Sequence, residues 1–238
     1  MPFGRLVRRA WMGQERELPS PPKSIQESQL SAMDAAFRRS GFDESRSLGR
    51  PVAADGSPLP WFTYPAIEYL AQLDLDGARV FEYGSGNSSL FWARRGALVW
   101  SVEHDSAWYE EMSRHDASLQ QLVLAESRDE YADALRSTPG NMDVVVIDGV
   151  FRMACAKVVT EVWGGHGLII LDNSDWYSDV RAFLIGEGLT CIDFSGFGPM
   201  NRYAWSTSIL FQNSSFIQER LRAPHPLSGI DVAKGPTW

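Results

Sequence analysis

Oxygen-bearing side chains follow two hydrophobic runs in the second half of the sequence. Asp148 comes directly after the run 144–147, and Asp172 and Asn173 come after the run 168–171. If these runs are neighbouring parallel strands, their carboxyl ends meet at one edge of a sheet, where open α/β sheets bind ligands. Two carboxylates and an amide are hard oxygen ligands of the kind Mg²⁺ prefers, so the pattern predicts a magnesium site. The alternative is that Asp172 and Asn173 only cap the helix that follows.

A glycine-rich turn follows an earlier hydrophobic run. Gly84 and Gly86 let the backbone approach a ligand closely, and the helix that begins after them presents unpaired N–H groups to it. Glu82 precedes the first glycine by two residues and suits a cationic ligand better than a phosphate. Ser88 or Ser89 stands where a dinucleotide-binding fingerprint has its third glycine. The turn therefore predicts a close ligand contact and disfavours a pyrophosphate.

The next hydrophobic run ends in a carboxylate, Glu103. A carboxylate at this strand end can accept two hydrogen bonds from the hydroxyls of a ribose. His104 is interpreted as a neighbour of that contact, and Asp105 as the cap of the following helix. Together with the glycine turn, this strand end predicts a nucleoside ligand.

Short β-rich runs alternate with helical stretches from residue 79 onward, which indicates a parallel sheet covered by helices. The predicted strands are 79–83, 98–103, 121–126, 143–148, 167–172, 190–195 and 203–212. The last two strands are separated by a loop too short for a parallel crossover, so they are expected to pair antiparallel. Aromatic residues in the segments 61–64 and 196–203 are expected to contribute to a substrate pocket.

The motif Glu82-x-Gly84-x-Gly86, followed by Glu103, resembles the cofactor half of the class I S-adenosylmethionine (SAM)-dependent methyltransferases. The resemblance covers about residues 64–212. It implies an α/β, Rossmann-like three-layer sandwich whose mostly parallel seven-stranded sheet ends in an antiparallel C-terminal hairpin. It also implies SAM as cofactor, with the glycine loop beneath the methionine portion and Glu103 on the ribose. The implied cofactor-binding residues are Glu82, Gly84, Ser85, Gly86, Asn87, Ser88, Glu103, His104, Glu126 and Asp148.

Asp148 together with Asp172 and Asn173 resembles the metal-dependent O-methyltransferases of the catechol and caffeoyl-coenzyme A kind. In that branch an Asp after the fourth strand and an Asp-Asn after the fifth hold the metal. Those enzymes carry a lysine three residues after the first Asp, whereas the nearest cation here is Arg152, four residues on. Arginine stays protonated and cannot act as a base, but it can hold an anionic acceptor. The predicted catalytic residues are therefore Asp148, as the base where no metal is bound, and Arg152.

Composition restricts the classes of protein that fit. The chain has 238 residues, 44% of them hydrophobic, and a net charge of −8, so nucleic acid is not an expected partner. It lacks a long apolar run and a secretory signal, so a cytoplasmic protein without a membrane span is expected. Arginines beside an apolar face in residues 3–11 leave peripheral contact with a membrane or a partner as an option.

The sequence divides into a helical N-terminal extension (1–60), a SAM-binding methyltransferase domain (61–215) and a C-terminal tail (216–238). The expected function is methyl transfer from SAM to an oxygen of a small-molecule, glycan or lipid-linked acceptor, with Mg²⁺ as an optional second cofactor. One alternative is an NAD(P)-dependent Rossmann oxidoreductase, which should prefer an apolar residue at position 82 and a third glycine near 88. Another is a nucleoside-binding module without catalysis. The oligomeric state is open, and a homodimer is among the options.

Overall fold

Seven strands form one sheet in the computed structural model, which describes residues 25–115 and 119–224. In chain order they are β1 (Arg79–Tyr83), β2 (Leu98–Glu103), β3 (Gln121–Leu124), β4 (Val144–Ile147), β5 (Leu168–Leu171), β6 (Thr190–Gly196) and β7 (Trp205–Phe211). Their order in the sheet is β3-β2-β1-β4-β5-β7-β6. The first five strands are parallel, and β7 pairs antiparallel with both β5 and β6. The predicted fold, a Rossmann-like methyltransferase sandwich with a C-terminal antiparallel hairpin, is confirmed.

Helices connect the strands and precede the sheet. They are α1 (Ile25–Arg39), α2 (Phe42–Leu48), α3 (Tyr64–Ala71), α4 (Asn87–Arg94), α5 (Ser106–Ser113), α6 (Arg128–Asp133) with the 3₁₀ turn Ala134–Ser137, α7 (Arg152–Val162), α8 (Ser178–Gly186) and α9 (Ser215–Arg220). Asp105 caps α5 as predicted, because its carboxylate accepts a hydrogen bond from the backbone N–H of Trp108 at 2.8 Å. Of the helices described, none has the length and apolar character to span a membrane.

The chain divides into two compact units, residues 1–36 and residues 37–238. In the first unit, the described residues 25–36 belong to α1. The second unit contains the whole sheet and also residues 37–60. The domain boundaries at residues 60 and 215 stay predictions. The arginine-rich segment within residues 3–11 lies outside the described residues.

The core lies on both faces of the sheet because successive side chains of a strand point to opposite sides. In β4, Val144 and Val146 belong to one buried cluster, and Val145 and Ile147 belong to the other. The side chains of β5 alternate between the same two clusters. A strand buried on both faces has no polar alternation, which explains the continuous hydrophobic runs of the sequence.

The strands β4 and β5 end directly before the polar residues Asp148 and Asp172. β4 ends at Ile147 and β5 at Leu171, one residue short of the predicted ends. Asp148 still donates its backbone N–H to the carbonyl of Tyr83 at 3.1 Å. Both acidic residues therefore stand at the first position beyond the sheet, at its carboxyl edge.

Two glycines allow the loops after β1 and β4 to touch. Gly84 has a φ of +92°, and a Cβ there would lie 2.9 Å from the Cα of Gly149. A Cβ on Gly149 would in turn lie 2.0 Å from the hydroxyl oxygen of Tyr131. Both distances are shorter than a van der Waals contact, so neither position accepts a larger residue without movement of the backbone or the tyrosine.

We predict that Gly84→Ala destabilises the protein more than Gly77→Ala does. Gly77 also has a positive φ (+67°), but nothing lies within 4 Å of a Cβ there. Both substitutions carry the cost of about 1–2 kcal/mol for an L-residue in a left-handed conformation. Gly84→Ala adds an overlap with backbone, worth about 1–3 kcal/mol more. Urea unfolding measures both free energies, and equal losses would show that the two loops do not touch.

Candidate functional site

A cavity of about 1130 Å³ lies at the carboxyl edge of the sheet, next to the loops that follow β1, β2, β4 and β5. Most of the site residues predicted from the sequence line it: Gly84, Ser85, Gly86, Asn87, Ser88, Glu103, His104, Asp148, Asp172 and Asn173. Three predicted residues, Glu82, Glu126 and Arg152, are not part of its lining. The structure therefore brings the glycine turn, the Glu103 strand end and the predicted metal residues to one place.

Glu82 lies beneath the glycine loop, with no exposed surface. Its Oε1 accepts a hydrogen bond from Trp92 Nε1 at 3.1 Å, and its Oε2 accepts one from the hydroxyl of Ser89. That hydroxyl also accepts the backbone N–H of Gly86 at 3.1 Å. The prediction that Glu82 contacts the cofactor is therefore corrected: Glu82 supports the loop and the first turn of α4 from below.

Burial raises the pKa of Glu82 to about 7, although the hydrogen bonds from Ser89 and Trp92 oppose the shift by stabilising the carboxylate. Desolvation disfavours the charged form, and the negative charge of Asp148 raises the pKa further. Glu82 therefore changes its charge close to neutral pH.

The carboxylate of Glu103 is held by backbone groups and reaches the cavity with a small part of its surface (4% exposed). Its Oε1 accepts the backbone N–H groups of His104 (2.8 Å) and Asp105 (2.9 Å). Its Oε2 accepts the backbone N–H (3.1 Å) and the hydroxyl (3.2 Å) of Ser85. His104 Nδ1 also lies 2.9 Å from Oε1. The three backbone donors fix the orientation of the carboxylate, and the Ser85 hydroxyl and the His104 ring are its side-chain neighbours.

Other cavity residues come from parts of the sequence that the motifs did not mark. Trp108 Nε1 donates to the carbonyl of Ser85 at 2.8 Å, so the indole covers the glycine loop. In the sequence, Trp108 is marked by its position three residues after the cap Asp105, because residues with that spacing are neighbours on a helix surface, here at the start of the helix. Arg50 and Asn201 also line the cavity, and no local pattern marks them. The aromatic segments expected to wall the pocket do contribute to its lining, through Trp61 and Tyr203.

Glu126 is exposed and lies outside the cavity lining. β3 ends at Leu124, two residues before it, so its side chain belongs to the loop that leads to α6. The cofactor contact expected of Glu126 is therefore not supported by its position.

Arg152 lies at the centre of the predicted metal site and is 7% exposed. Its Nη2 donates to Oδ1 of Asp148 at 3.0 Å and to Oδ1 of Asn173 at 3.1 Å. Its Nε donates to the carbonyl of Gly149 at 2.9 Å, and its Nη1 donates to the carbonyl of Asp172. The guanidinium thus binds four oxygens from the loops after β4 and β5. These contacts occupy Nε, Nη1 and Nη2, and Arg152 is not part of the cavity lining, so its contact with an acceptor stays a prediction.

The backbone around this cluster is strained. Phe151 has a φ of 53° and Asn173 a φ of 50°, a region that is unfavourable for a bulky side chain such as phenylalanine and tolerated by asparagine. Phe151 directly precedes Arg152. Asn173 directly follows Asp172, whose carbonyl accepts a hydrogen bond from the guanidinium. Strained backbone persists where the surrounding contacts determine it, and here those contacts are the hydrogen bonds of Arg152.

The Asp172 side chain is directed toward β7. Its Oδ1 accepts Trp205 Nε1 at 3.1 Å and the hydroxyl of Thr207. Thr207 Oγ1 also accepts the backbone N–H of Thr63 at 3.1 Å, which ties the segment before α3 to the last strand of the chain. Burial raises the pKa of Asp172 well above its ordinary value, and the negative charge of Asp148 raises it further.

The three residues predicted to hold Mg²⁺ do not form a ligand set. Asp148 and Asn173 both direct Oδ1 at a nitrogen of Arg152, and the Asp172 carboxylate bonds to β7. Among the residues described, no group of three or more His, Cys, Asp and Glu side chains is arranged to hold a metal ion. These residues do not fit Mg²⁺, because Arg152 holds Oδ1 of Asp148 and Oδ1 of Asn173 and the residues of β7 hold Oδ1 of Asp172. Neither the strand ends nor the family resemblance that predicts magnesium shows these side-chain partners.

We predict that Glu82 makes the protein less stable as the pH rises from about 4.5 to about 7. Its pKa is 4.5 when unfolded and about 7 when folded, so over this window the folded chain binds more protons than the unfolded chain. The loss reaches about 3 kcal/mol, the linkage value for that shift. Glu82→Gln should flatten the pH dependence of the unfolding free energy, and Glu126→Gln should leave it unchanged. Parallel profiles for wild type and Glu82→Gln would contradict the assignment.

Comparison with models of protein families finds no match, and comparison with curated proteins finds none either. Among solved structures, the chain is similar to a TehB-like SAM-dependent methyltransferase from Corynebacterium glutamicum, with 12% identity over 78% of this chain and 99% of that chain (TM-score 0.48). It is also similar to a methyltransferase-like protein from Silicibacter pomeroyi, with 21% identity over 74% and 92% (TM-score 0.46). An rRNA methylase from Streptococcus thermophilus shares 14% identity over 62% and 95% (TM-score 0.46). Similarity at this level describes a fold, so the function has to be argued from the site.

Proposed function

We propose that this protein is a SAM-dependent methyltransferase that transfers the methyl group to an oxygen of a small-molecule, glycan or lipid-linked acceptor. The observation that carries the proposal is the shared cavity wall: the Gly84–Gly86 loop, the fixed carboxylate of Glu103 and the carboxylate of Asp148 line one cavity. A nucleoside cofactor would lie along the loop with its ribose at Glu103. Its reactive end would then lie toward Asp148.

The charge of the lining favours a sulfonium over a pyrophosphate. The acidic residues in the lining are Glu103, Asp105, Glu111, Asp148 and Asp172. Arg50 is the only arginine among the described residues that line the cavity. A cavity rich in carboxylates attracts a cationic cofactor such as SAM and repels the phosphates of NAD(P). The antiparallel β7 within the sheet also differs from the all-parallel order of dinucleotide-binding folds.

Aromatic side chains suggest where an acceptor would lie. Trp61, Trp176 and Tyr203 line the cavity while 43%, 57% and 49% exposed, respectively. The Trp176 and Tyr203 rings are neighbours, with centroids 5.9 Å apart. Exposed aromatic rings at a cavity supply flat apolar surface for a ring or a sugar and exclude water from the reacting groups.

Asp148 is the proposed base. Its Oδ1 is held by Arg152, and its Oδ2 has no hydrogen-bond partner among the described residues while the side chain lines the cavity. SAM, when bound, supplies a methyl group on a positively charged sulfur. Oδ2 of Asp148 is placed to accept the proton of the acceptor hydroxyl as the oxygen attacks, and the cavity walls orient the acceptor for in-line displacement. No step of this mechanism requires a metal ion.

The acceptor class rests on the net charge of −8 and on the acidic lining of the cavity. Both features disfavour a nucleic acid, whose phosphates would be repelled. The exclusion of nucleic acid nevertheless stays a prediction, and it is one of the outcomes tested below.

We predict that Glu103→Gln weakens SAM binding by about 30- to 100-fold, the cost of charge-assisted hydrogen bonds to the ribose. Isothermal titration with SAM measures the loss. Glu126→Gln is the matched control, because Glu126 is exposed outside the cavity, and it should stay within twofold of wild type. NAD⁺ and NADP⁺ should not bind. Binding of either in place of SAM would overturn the proposal in favour of an oxidoreductase.

We predict that Asp148→Asn lowers the rate of methyl transfer at saturating SAM by about 100-fold or more and weakens SAM binding less than Glu103→Gln does, because it removes a base and keeps its shape. Production of S-adenosylhomocysteine is measured with pools of phenols, sugars, lipid-linked sugars and RNA. Asp129→Asn, an exposed carboxyl on α6, is the control. Transfer to RNA would contradict the acceptor class. SAM binding with no transfer to any pool would indicate a binding module.

A further inference from the structure

We propose that the Arg152 guanidinium is a built-in cation that replaces a divalent metal at the carboxyl edge of this sheet and positions Asp148. The role of Asp148 rests on the proposed function, whereas the exclusion of a metal ion does not. The hydrogen bonds of the guanidinium, its burial and its repulsion of a second cation support this proposal.

The guanidinium joins the same elements that a metal at this edge would join. Nη2 donates to Oδ1 of Asp148 at 3.0 Å and to Oδ1 of Asn173 at 3.1 Å, so it stands between the oxygens of both strand ends. Nε and Nη1 donate to the carbonyls of Gly149 and Asp172. A Mg²⁺ ion needs its oxygens about 2.0–2.1 Å away in octahedral geometry. To bring Oδ1 of Asp148 and Oδ1 of Asn173 to one ion, the hydrogen bonds from Nη2 would have to break.

The burial of Arg152 holds it in this position. The residue is 7% exposed, and its guanidinium carbon lies 4.3 Å from the centre of the Tyr177 ring. The ring covers one face of the guanidinium, and the edges carry the hydrogen bonds. Lysine has neither the flat face nor the fork geometry for these contacts. Because arginine stays protonated at all physiological pH values, its positive charge permanently opposes a second cation among the same oxygens.

Arg152 is therefore a positioning residue for Asp148. It fixes Oδ1 and leaves Oδ2 without a hydrogen-bond partner among the described residues, while the side chain lines the cavity. A metal would instead bind the carboxylate as a ligand and leave the acceptor hydroxyl to coordinate beside it. The chain thus keeps Asp148 available to accept a proton.

The test uses Mn²⁺ and the full chain. Free Mn²⁺ gives a six-line paramagnetic resonance signal that disappears on binding, so binding is measured without any methyl transfer. Wild-type protein is expected to leave the signal unchanged up to about 1 mM Mn²⁺, the weak limit of protein sites for hard divalent cations. Binding of one Mn²⁺ per chain at micromolar concentration, lost in Asp148→Asn, would overturn the proposal.

A second measurement tests whether the guanidinium occupies a position that a metal ion binds once the guanidinium is removed. Arg152→Ala is expected to gain Mn²⁺ binding by at least about tenfold, and Asp148→Asn in that background should remove the gain. Arg181→Ala is the matched control, because Arg181 forms an ion pair with Asp193 outside the cavity lining, and it should bind no more Mn²⁺ than wild type. A folded Arg152→Ala that gains no binding would overturn the claim. If Arg152→Ala does not fold, the wild-type titration still decides.

The two proposals fail separately. Absence of SAM binding would overturn the proposed function and leave the Mn²⁺ result intact. Binding of SAM together with tight Mn²⁺ binding to the wild type would leave the methyltransferase proposal standing and overturn the built-in cation.

Discussion

The hydrogen bonds of Arg152 are the constraint on which the rest of the site depends. β4 and β5 are short, and the side chain of Arg152 bonds to the loops that follow both of them. The guanidinium gathers Asp148, Gly149, Asp172 and Asn173 with four hydrogen bonds and sustains the positive φ of Asn173. Asp148 has its position because of this cluster, and Gly149 is held against Gly84, so the glycine loop is set by the same contact. One buried side chain thereby connects the loops after β4 and β5 to the glycine loop after β1.

The fold was predictable from local patterns, because each pattern reports a property of one strand or turn. The runs at β4 and β5 are hydrophobic throughout, since both faces of the sheet are buried, and the short loop between β6 and β7 permits only antiparallel pairing. Placement of Gly84, Glu103 and Asp148 at one cavity followed from the rule that parallel strands end at the same edge.

The errors concern side-chain partners that are distant in sequence. Asp172 was predicted to face a metal, but its partners Trp205 and Thr207 lie on β7, and no spacing within the β5 motif could reveal them. Glu82 was predicted to face a cationic ligand, but Trp92 from α4 turns its carboxylate inward. The end of a strand determines the backbone position of a residue, whereas the hydrogen-bond donors around its side chain determine the direction of its carboxylate.

The hydrogen bond from Thr63 to Thr207 has a consequence for how the chain is assembled. It joins residues 144 positions apart, and the same threonine hydroxyl donates to Asp172. Contacts of such long sequence separation form late in folding, because a long loop must close first. During synthesis, the segment before α3 and the end of β5 cannot form these hydrogen bonds until β7 has been synthesised. The loops after β1 and β2 contact each other within residues 85–108 and need no such wait, so a nascent chain acquires the two sides of its cavity at different times.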